Sequence, residues 1–270
     1  MALDTYALTT FANAYTYLGL SSTSSGTVAE IEGLINRASD MIENYCNRKF
    51  AARLYAKERH NGCEQHIVYF DNPPVVAVCL DELVWTDSTK TVTRSDGGSF
   101  YDDGFSTANN KVLVQNSDDN SGLLTVTAVA TGGTTITFSD SITTDSEDND
   151  VTISNCRSLW IEDDEVDEDN FDVLDDHIYY FGDFPEGHRN IKITYYGGYT
   201  TIPDDLEHAC LEVVKALYEG NENIGNIQSE KLGDHSIEYA VGMRGNADIR
   251  VSNISEATKY VLDKYRRIAV

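Results

Sequence analysis

The chain has 270 residues, 41% of them hydrophobic, with 45 acidic against 20 basic side chains and a formal net charge of −25. That apolar content is enough for a folded core, and the length leaves room for two compact units. The charge excludes groove binding or wrapping of nucleic acid, whose electrostatic attraction would have the wrong sign.

No apolar run approaches the roughly 20 residues of a membrane span. The N-terminus lacks the basic-then-apolar pattern of a secretory signal, so the chain is expected to be soluble and to stay where it is made. Five cysteines, Cys46, Cys63, Cys79, Cys156 and Cys210, form no C-x-x-C pair, and an odd number cannot all pair internally. They read as reduced thiols used for packing in a cytosol.

In chain order, a first helix is expected from about Thr9 to Leu18, with Leu8, Phe11, Ala12, Tyr15 and Leu18 on one face and Gly19 closing it. A second should begin at Thr27, whose hydroxyl caps while Glu30 reaches back, and bury Ile31, Leu34, Ile35, Ala38, Ile42 and Tyr45. It leaves through Asn47-Arg48-Lys49-Phe50.

The pattern then becomes β. His66–Phe70 and Val75–Trp85 are apolar-rich runs split by Asn72-Pro73-Pro74, a turn that interrupts any ladder. KVLVQ, GLLTVTAVA, TTITFS and DVTIS follow between residues 105 and 153 as four short strands separated by polar turn clusters. They predict a compact β unit, a small barrel or a sandwich, leaving the chain near Thr86–Tyr101 and returning near Trp160.

Ile191, Ile193 and Tyr195 alternate with polar partners as a half-buried strand that must end at Gly197-Gly198. Pro203 then sits at a first-turn position where its missing N–H costs nothing, and Asp204 and Asp205 complement the helix dipole. Leu206, Ala209, Cys210, Val213, Val214, Leu217 and Tyr218 give that third helix one apolar stripe, ending near Gly220. A last helix follows Asn253, with Glu256 three residues on, and carries Ile254, Ala257, Tyr260, Val261 and Ile268 on one side and Lys259, Lys264, Arg266 and Arg267 on the other. Those cations are either solvated partners of the helix dipole or a surface for an acidic partner.

Chemistry is sparse. His60, Cys63 and His66 form H-x-x-C-x-x-H without an evident fourth ligand, and Asn61-Gly62 places a turn between them. The run EDDEVDED, residues 162–169, lacks the alternating spacing that wraps calcium and reads as a solvated loop. With no G-x-S-x-G elbow, no phosphate loop and no recognisable nucleophile, no enzyme activity, cofactor or metal is expected. Of the acidic residues, 22 lie between 86 and 185 with only 4 of the basic ones, so the middle of the chain is the strongly negative part.

At the strand-to-helix junction the chain resembles the head-tail connector, or adaptor-ring, family of tailed bacteriophages, in which a strand ending Tyr-x-x-Gly-Tyr is followed by Pro-x-Asp-Leu. Tyr195, Gly198, Tyr199, Pro203, Asp205 and Leu206 occupy those places. The N-terminal helix pair with its Asn47–Phe50 exit, and the SEKLGDHSIEYA segment before the last helix, resemble the family in the same order. The resemblance implies an α+β fold, a small bundle of about four helices with a short antiparallel sheet over 1–101 and 156–270. An all-β barrel or sandwich-like domain, 102–155, is inserted in it. It further implies a non-enzymatic virion protein that forms a cyclic ring, commonly of twelve copies, between the capsid portal and the next neck or tail protein, such as a stopper or tail terminator. DNA would meet it only in passing through the channel, and no membrane is involved; the places implied are the virion neck and, during assembly, the host cytoplasm. Portal contact would fall to Tyr260, Lys264, Tyr265, Arg266, Arg267 and Ile268, and neighbour or lumen contact to Ser229, Glu230, Lys231, Leu232 and Asp234. The other reading is a tail-associated β module, residues 105–160, that binds a carbohydrate or another receptor; a metal-dependent hydrolase using the acidic clusters ranks below both.

Overall fold

The computed structural model describes residues 2–21, 24–107, 111–131, 133–222, 229–232, 235–238 and 255–267. The chain is α+β and divides into two compact units, Met1–Arg48 with Ile202–Val270, and Lys49–Thr201.

The described residues of the first unit form four helices, α1 (Phe11–Tyr17), α2 (Ser25–Cys46), α3 (Asp204–Glu222) and α4 (Glu256–Tyr265). Helix α1 starts at the Thr10 cap, and its one fully buried residue is Ala14; Phe11, Tyr15 and Leu18 are half-buried and Ala12 faces solvent. Helix α2 begins earlier than Thr27, because Ser24 is the cap and accepts from the Thr27 N–H at 3.2 Å. The expected stripe of Ile31, Leu34, Ile35, Ala38 and Ile42 is buried, joined by Cys46, while Tyr45 is only half-buried. Asn47 ends the helix in the left-handed region, φ 53°, where Asn is better tolerated than most residues. In α3 the residues Leu206, Ala209, Cys210, Val213, Val214 and Leu217 are all buried, and the helix runs two residues past Gly220.

Helix α4 is capped by Ser255, not Asn253, and its buried residues are Thr258 and Leu262. Ala257 and Tyr260 lie on the exposed side, so the apolar stripe read from the sequence is rotated away from the true contact face. The reason is polar: Glu212 of α3 accepts from the Ser255 hydroxyl at 3.2 Å and from the Thr258 hydroxyl, which draws a threonine into the helix interface.

The second unit is built almost wholly of strands. It opens with β1 (Arg53–Gly62) and β2 (Ile67–Tyr69), continues through β3 (Ala77–Leu80), β4 (Leu83–Thr86), β5 (Thr91–Thr93), β6 (Lys111–Gln115), β7 (Gly122–Val129), β8 (Thr135–Phe138), β9 (Asp145–Asp148) and β10 (Val151–Ser154), and closes with β11 (Cys156–Ile161), β12 (Asp164–Glu165), β13 (Phe171–Val173), β14 (His177–Tyr180) and β15 (Gly187–Gly197). Eight of these form one antiparallel sheet in the order β3-β10-β6-β7-β8-β5-β4-β9.

That sheet closes on itself. Leu80 pairs with Val151 and Leu83 with Asp148, so the register runs unbroken from β3/β10 into β4/β9. β3 and β4 are two halves of one bent strand, and β9 and β10 are halves of its partner. Glu82 and Asp150 bend them in the left-handed region, both at φ 56°. The Glu82 N–H donates to Asn149 Oδ1 at 3.0 Å and the Asp150 N–H to Asp81 Oδ1 at 3.1 Å, which ties the two bends together. The result is a six-stranded barrel closed through β4 and β10, with β3 and β9 continuing the bent strands past the closure and each paired on one side.

The barrel interior holds Leu83, Trp85, Val92, Phe100, Phe105, Val112, Val114, Ile136, Phe138, Val151 and Ile153. Trp85 is fully buried against Phe138, ring centroids 6.0 Å apart, and a side chain of this kind stabilises a core by about 1.5–3 kcal/mol. A second core, with Val68, Phe70, Leu113, Leu159, Phe171, Ile178, Ile191, Ile193 and Tyr195, is flanked by the sheets β1-β15-β11-β12 and β13-β14-β2. β6 is buried at four successive residues because it serves both: Val112 and Val114 enter the barrel, and Leu113 enters the second core. Hairpin β16 (Ser229–Leu232) and β17 (His235–Glu238) completes the described strands.

Burial sorts the thiols. Cys63 and Cys79 are exposed, while Cys46, Cys156 and Cys210 are buried, each pushed up to about 12 by loss of solvent. Titration of the native chain with a chromogenic disulfide at pH 8 should therefore modify two cysteines quickly, and denaturant should release the other three. Fast labelling of Cys156 in the native chain would contradict the packing described.

Candidate functional site

The residues expected to carry function fall on three features, the C-terminal helix, the hairpin and the strand-to-helix junction. In the first unit α4 is held by polar contacts on both sides. The Tyr45 hydroxyl of α2 donates to Asp263 Oδ1 at 2.7 Å, a bond that raises the Tyr45 pKa, and the Arg266 guanidinium lies 5.4 Å from the same ring. The Tyr265 hydroxyl donates to Asp205 Oδ1 of α3 at 2.7 Å, and the Arg267 N–H donates to the Cys46 carbonyl at 2.9 Å. Leu262 is the apolar anchor, fully buried, its carbonyl 3.5 Å from Cys46 Sγ.

Tyr265 and Arg267 thus serve the bundle, while Tyr260 is 70% exposed with the Lys264 ammonium 5.2 Å from its ring. Among the described members of the six candidate contact residues, Tyr260, Lys264 and Arg266 are the exposed ones. Ile268 and Asp234 lie outside the described residues; Ser229, Glu230, Lys231 and Leu232 form β16. Leu262→Ala should loosen the anchor by about 2–4 kcal/mol, as large-to-small core changes do, and speed amide exchange across residues 256–265. Unaltered exchange there would show that the polar contacts alone hold the helix.

Several junction residues are engaged in packing and hydrogen bonds. Tyr195 is fully buried between Tyr55 and Phe70, at centroid distances of 5.0 and 4.6 Å. Gly198, at φ 101°, donates its N–H to the Pro74 carbonyl at 2.9 Å, and Tyr199 donates to Phe50 O at 2.6 Å. Asp205 turns back to its neighbour, accepting from the Leu206 N–H at 2.9 Å, besides holding Tyr265.

The H-x-x-C-x-x-H residues are not brought together. His66 Nδ1 lies 2.8 Å from the Gly182 carbonyl, Cys63 is exposed, and His60 joins a network that the sequence did not suggest. His60 Nε2 is 2.9 Å from Glu58 Oε1 and its Nδ1 is 3.8 Å from Asp71 Oδ1. Glu58 also receives the Asp71 N–H at 3.2 Å, and the Tyr195 hydroxyl sits 2.9 Å from both its oxygens. Burial first, and then the Glu58 charge, push the Tyr195 pKa upward, so its proton stays to make that bond. Glu58, His60 and Asp71 are close enough to be considered as metal ligands. The imidazole turns Nε2 to Glu58 and Nδ1 to Asp71, and with the Asp71 N–H and Tyr195 hydroxyl bonds to Glu58 the arrangement fastens the 70–75 turn to β1 and β15.

Asp118, Asp145 and Asp148 form a second carboxylate group. Asp148, 2% exposed, already accepts from Trp85 Nε1 at 2.9 Å and from the Ser117 hydroxyl, which fixes the loop after β6 to the barrel. Within EDDEVDED, Asp163 pairs with Lys192 at 2.7 Å, which holds its carboxyl below the usual range. A groove in the second unit is lined by Pro74, Val76, Tyr101, Asp102, Asp103, Gly198, Tyr199, Thr200 and Thr201, so its polar groups are carboxylates and hydroxyls. No helix among the described residues is long and apolar enough to cross a membrane.

No protein-family model matches the chain, and no curated protein matches it. Among solved structures, it is similar to a chain in the neck of an empty GTA particle computed with C6 symmetry. The two share 11% identity over 100% of this chain and 96% of that one, with a TM-score of 0.38.

Proposed function

We propose that this chain is a structural, non-enzymatic virion protein that assembles into a closed ring between the portal of a phage capsid and the next neck or tail protein, leaving a channel for DNA. The observation that carries the reading is the order of its parts. A helix pair, a strand ended by Gly197-Gly198, a helix opened by Pro203 and a terminal helix follow one another as in adaptor rings, and α4 docks on α2 and α3 while keeping Tyr260 and Lys264 outward. Exposed Tyr with neighbouring Lys and Arg is a common composition for an interface anchor. The ring would have cyclic symmetry, with twelve copies as the family number, each subunit offering two different patches so that the contact closes. A net charge of −25 would keep DNA from adhering as it slides past.

The portal contact is placed on Tyr260, Lys264, Arg266 and the residues after them, and a neighbour or lumen contact on the Ser229–Leu232 hairpin strand. The inserted β domain is proposed to decorate the rim. Since the barrel takes in strands from Ala77 to Thr93 as well as those at 102–155, a deletion that tests this must remove the closed barrel as a whole.

The direct experiment mixes the purified chain with portal-bearing capsids and looks for a ring by electron microscopy. Rings on the portal vertex that are lost with a Tyr260→Ala, Lys264→Ala double variant, whose thermal unfolding matches that of the parent, support the reading. A chain that stays monomeric and ignores the portal but binds glycans through residues 105–160 would overturn it in favour of a receptor-binding β module.

A further inference from the structure

The outward face of the sheet β13-β14-β2 is unusual for a surface. Its ladder pairs Tyr69 with His177 and Ile67 with Tyr179, which puts these four side chains on the face opposite the buried Val68 and Ile178. Tyr69 is 58%, Phe181 52% and Tyr179 38% exposed, although each is large enough to fill a core position. The rings form contacting pairs. Tyr69 and His177 have centroids 5.5 Å apart, His66 and Tyr179 5.7 Å, and Tyr179 and Phe181 6.1 Å. Carboxylates set the two imidazoles: Asp176 lies 2.5 Å from His177 Nδ1 and Asp183 3.4 Å from His66 Nε2.

Charge decides what such a face can hold. Residues 60–89 and 158–188, which supply this sheet and its connections, contain no lysine or arginine, and the second stretch carries twelve carboxylates. Nucleic acid and anionic lipid would be repelled. A cation over an exposed ring is attracted by the ring quadrupole, and nearby carboxylates add to that attraction. Contiguous exposed aromatics of this kind mark interaction sites more often than they mark solvated surface.

We propose that this face is a docking surface for a basic segment of another protein, with arginine or lysine side chains laid over Tyr69, Tyr179 and Phe181 and within reach of the surrounding carboxylates. The surface belongs to the second unit and does not depend on the ring reading; a monomer would carry it as well.

The test uses the full chain and a fluorescein-labelled peptide of four Arg-Ser-Gly repeats, with the Glu-Ser-Gly counterpart as control, read by anisotropy. A Tyr69→Ser, Phe181→Ser variant alters no formal charge, so it separates ring contacts from the general attraction of an acidic protein. Binding of the arginine peptide to the parent, about tenfold weaker in the variant, is the expected result. Tyr179→Ser should act in the same direction, with tryptophan-monitored unfolding unchanged in both. Equal affinity for parent and variants would overturn the proposal, leaving diffuse electrostatics alone. It would also be overturned if the substitutions spared the peptide but abolished glycan binding or concentration-dependent self-association, because the occupant would then be a sugar or a second copy.

Discussion

Arg94→Met is expected to destabilise the barrel by about 2–4 kcal/mol. Removing one partner of a buried ion pair typically costs about 3–5 kcal/mol, and the carboxylates here keep enough solvent contact to moderate the loss. The Arg94 side chain is only 6% exposed. Its guanidinium donates to both oxygens of Asp96, at 2.6 and 2.5 Å, and to Asp103, and lies 5.0 Å from the Phe100 ring. The segment after β5 is therefore gathered around one cation. Lysine cannot replace this planar fork, so Arg94→Lys should recover only part of the loss.

The same cluster predicts an acid dependence. The hydrogen bonds from Arg94 hold the Asp96 carboxyl at about 2, below its ordinary value of 3.8, and the Asp96 bonds push the Arg94 pKa further upward. A depressed carboxyl contributes stability that is fully present above its unfolded value and lost as pH falls through the folded one. For Asp96 that window is between about pH 4 and pH 2. Urea unfolding followed through Trp85 should show the parent losing stability across that window, with a smaller loss in Arg94→Met. Superimposable acid profiles would mean that the pair contributes nothing to the barrel.

The second large effect is at the junction. A Cβ at Gly198 would stand 2.6 Å from the Phe50 carbonyl oxygen and 3.0 Å from the Ala51 carbonyl carbon, both backbone, at φ 101°. Gly198→Ala must therefore strain the residue and push apart the Tyr199–Phe50 and Ala52–Tyr199 hydrogen bonds, now 2.6 and 3.0 Å long. Backbone strain and overpacking together should cost about 2–5 kcal/mol. Gly19 is the control: it too has positive φ, 66°, but a Cβ there would meet nothing within 4 Å, so Gly19→Ala should cost only about 1–2 kcal/mol. Equal effects from the two substitutions would show that the crowding at Phe50 and Ala51 relaxes without penalty.

Much of the helical unit was legible in the sequence because its signals are local. Apolar residues three and four apart in α2 and α3 are buried as read except Tyr45 and Tyr218, which are half-buried, and Gly198 and Pro203 mark the end of one element and the start of the next. α4 was read on the wrong face because its orientation is set by hydroxyls, Thr258 on Glu212 and Tyr45 on Asp263, which carry no hydrophobic period. β1 escaped notice for a related reason. Its half-buried residues are Arg53, Tyr55, Glu58 and His60 while the apolar Leu54 and Ala56 face solvent, and the ladder is broken by a bulge near Lys57, φ 52°. The candidate ligands His60, Cys63 and His66 were adjacent in sequence only; extended backbone and a turn sent them to different neighbours.

By itself the sequence determined the α+β class, the existence of α1, α2, α3 and α4, the positions of the barrel's main strands and the acidic character of its middle. Those follow from local periodicity, capping and composition. Only the tertiary structure decided that the strands close into a barrel, that β6 serves two cores, that Glu58, His60, Asp71 and Tyr195 form one network, and that Tyr69, Tyr179 and Phe181 stay outside. Each of these depends on backbone hydrogen bonds and packing between residues far apart in the chain, such as Leu80 with Val151 and Glu58 with Tyr195. A pattern within one segment shows that it has a buried face; the partner strands decide what that face is buried against and which aromatic rings are left for a partner.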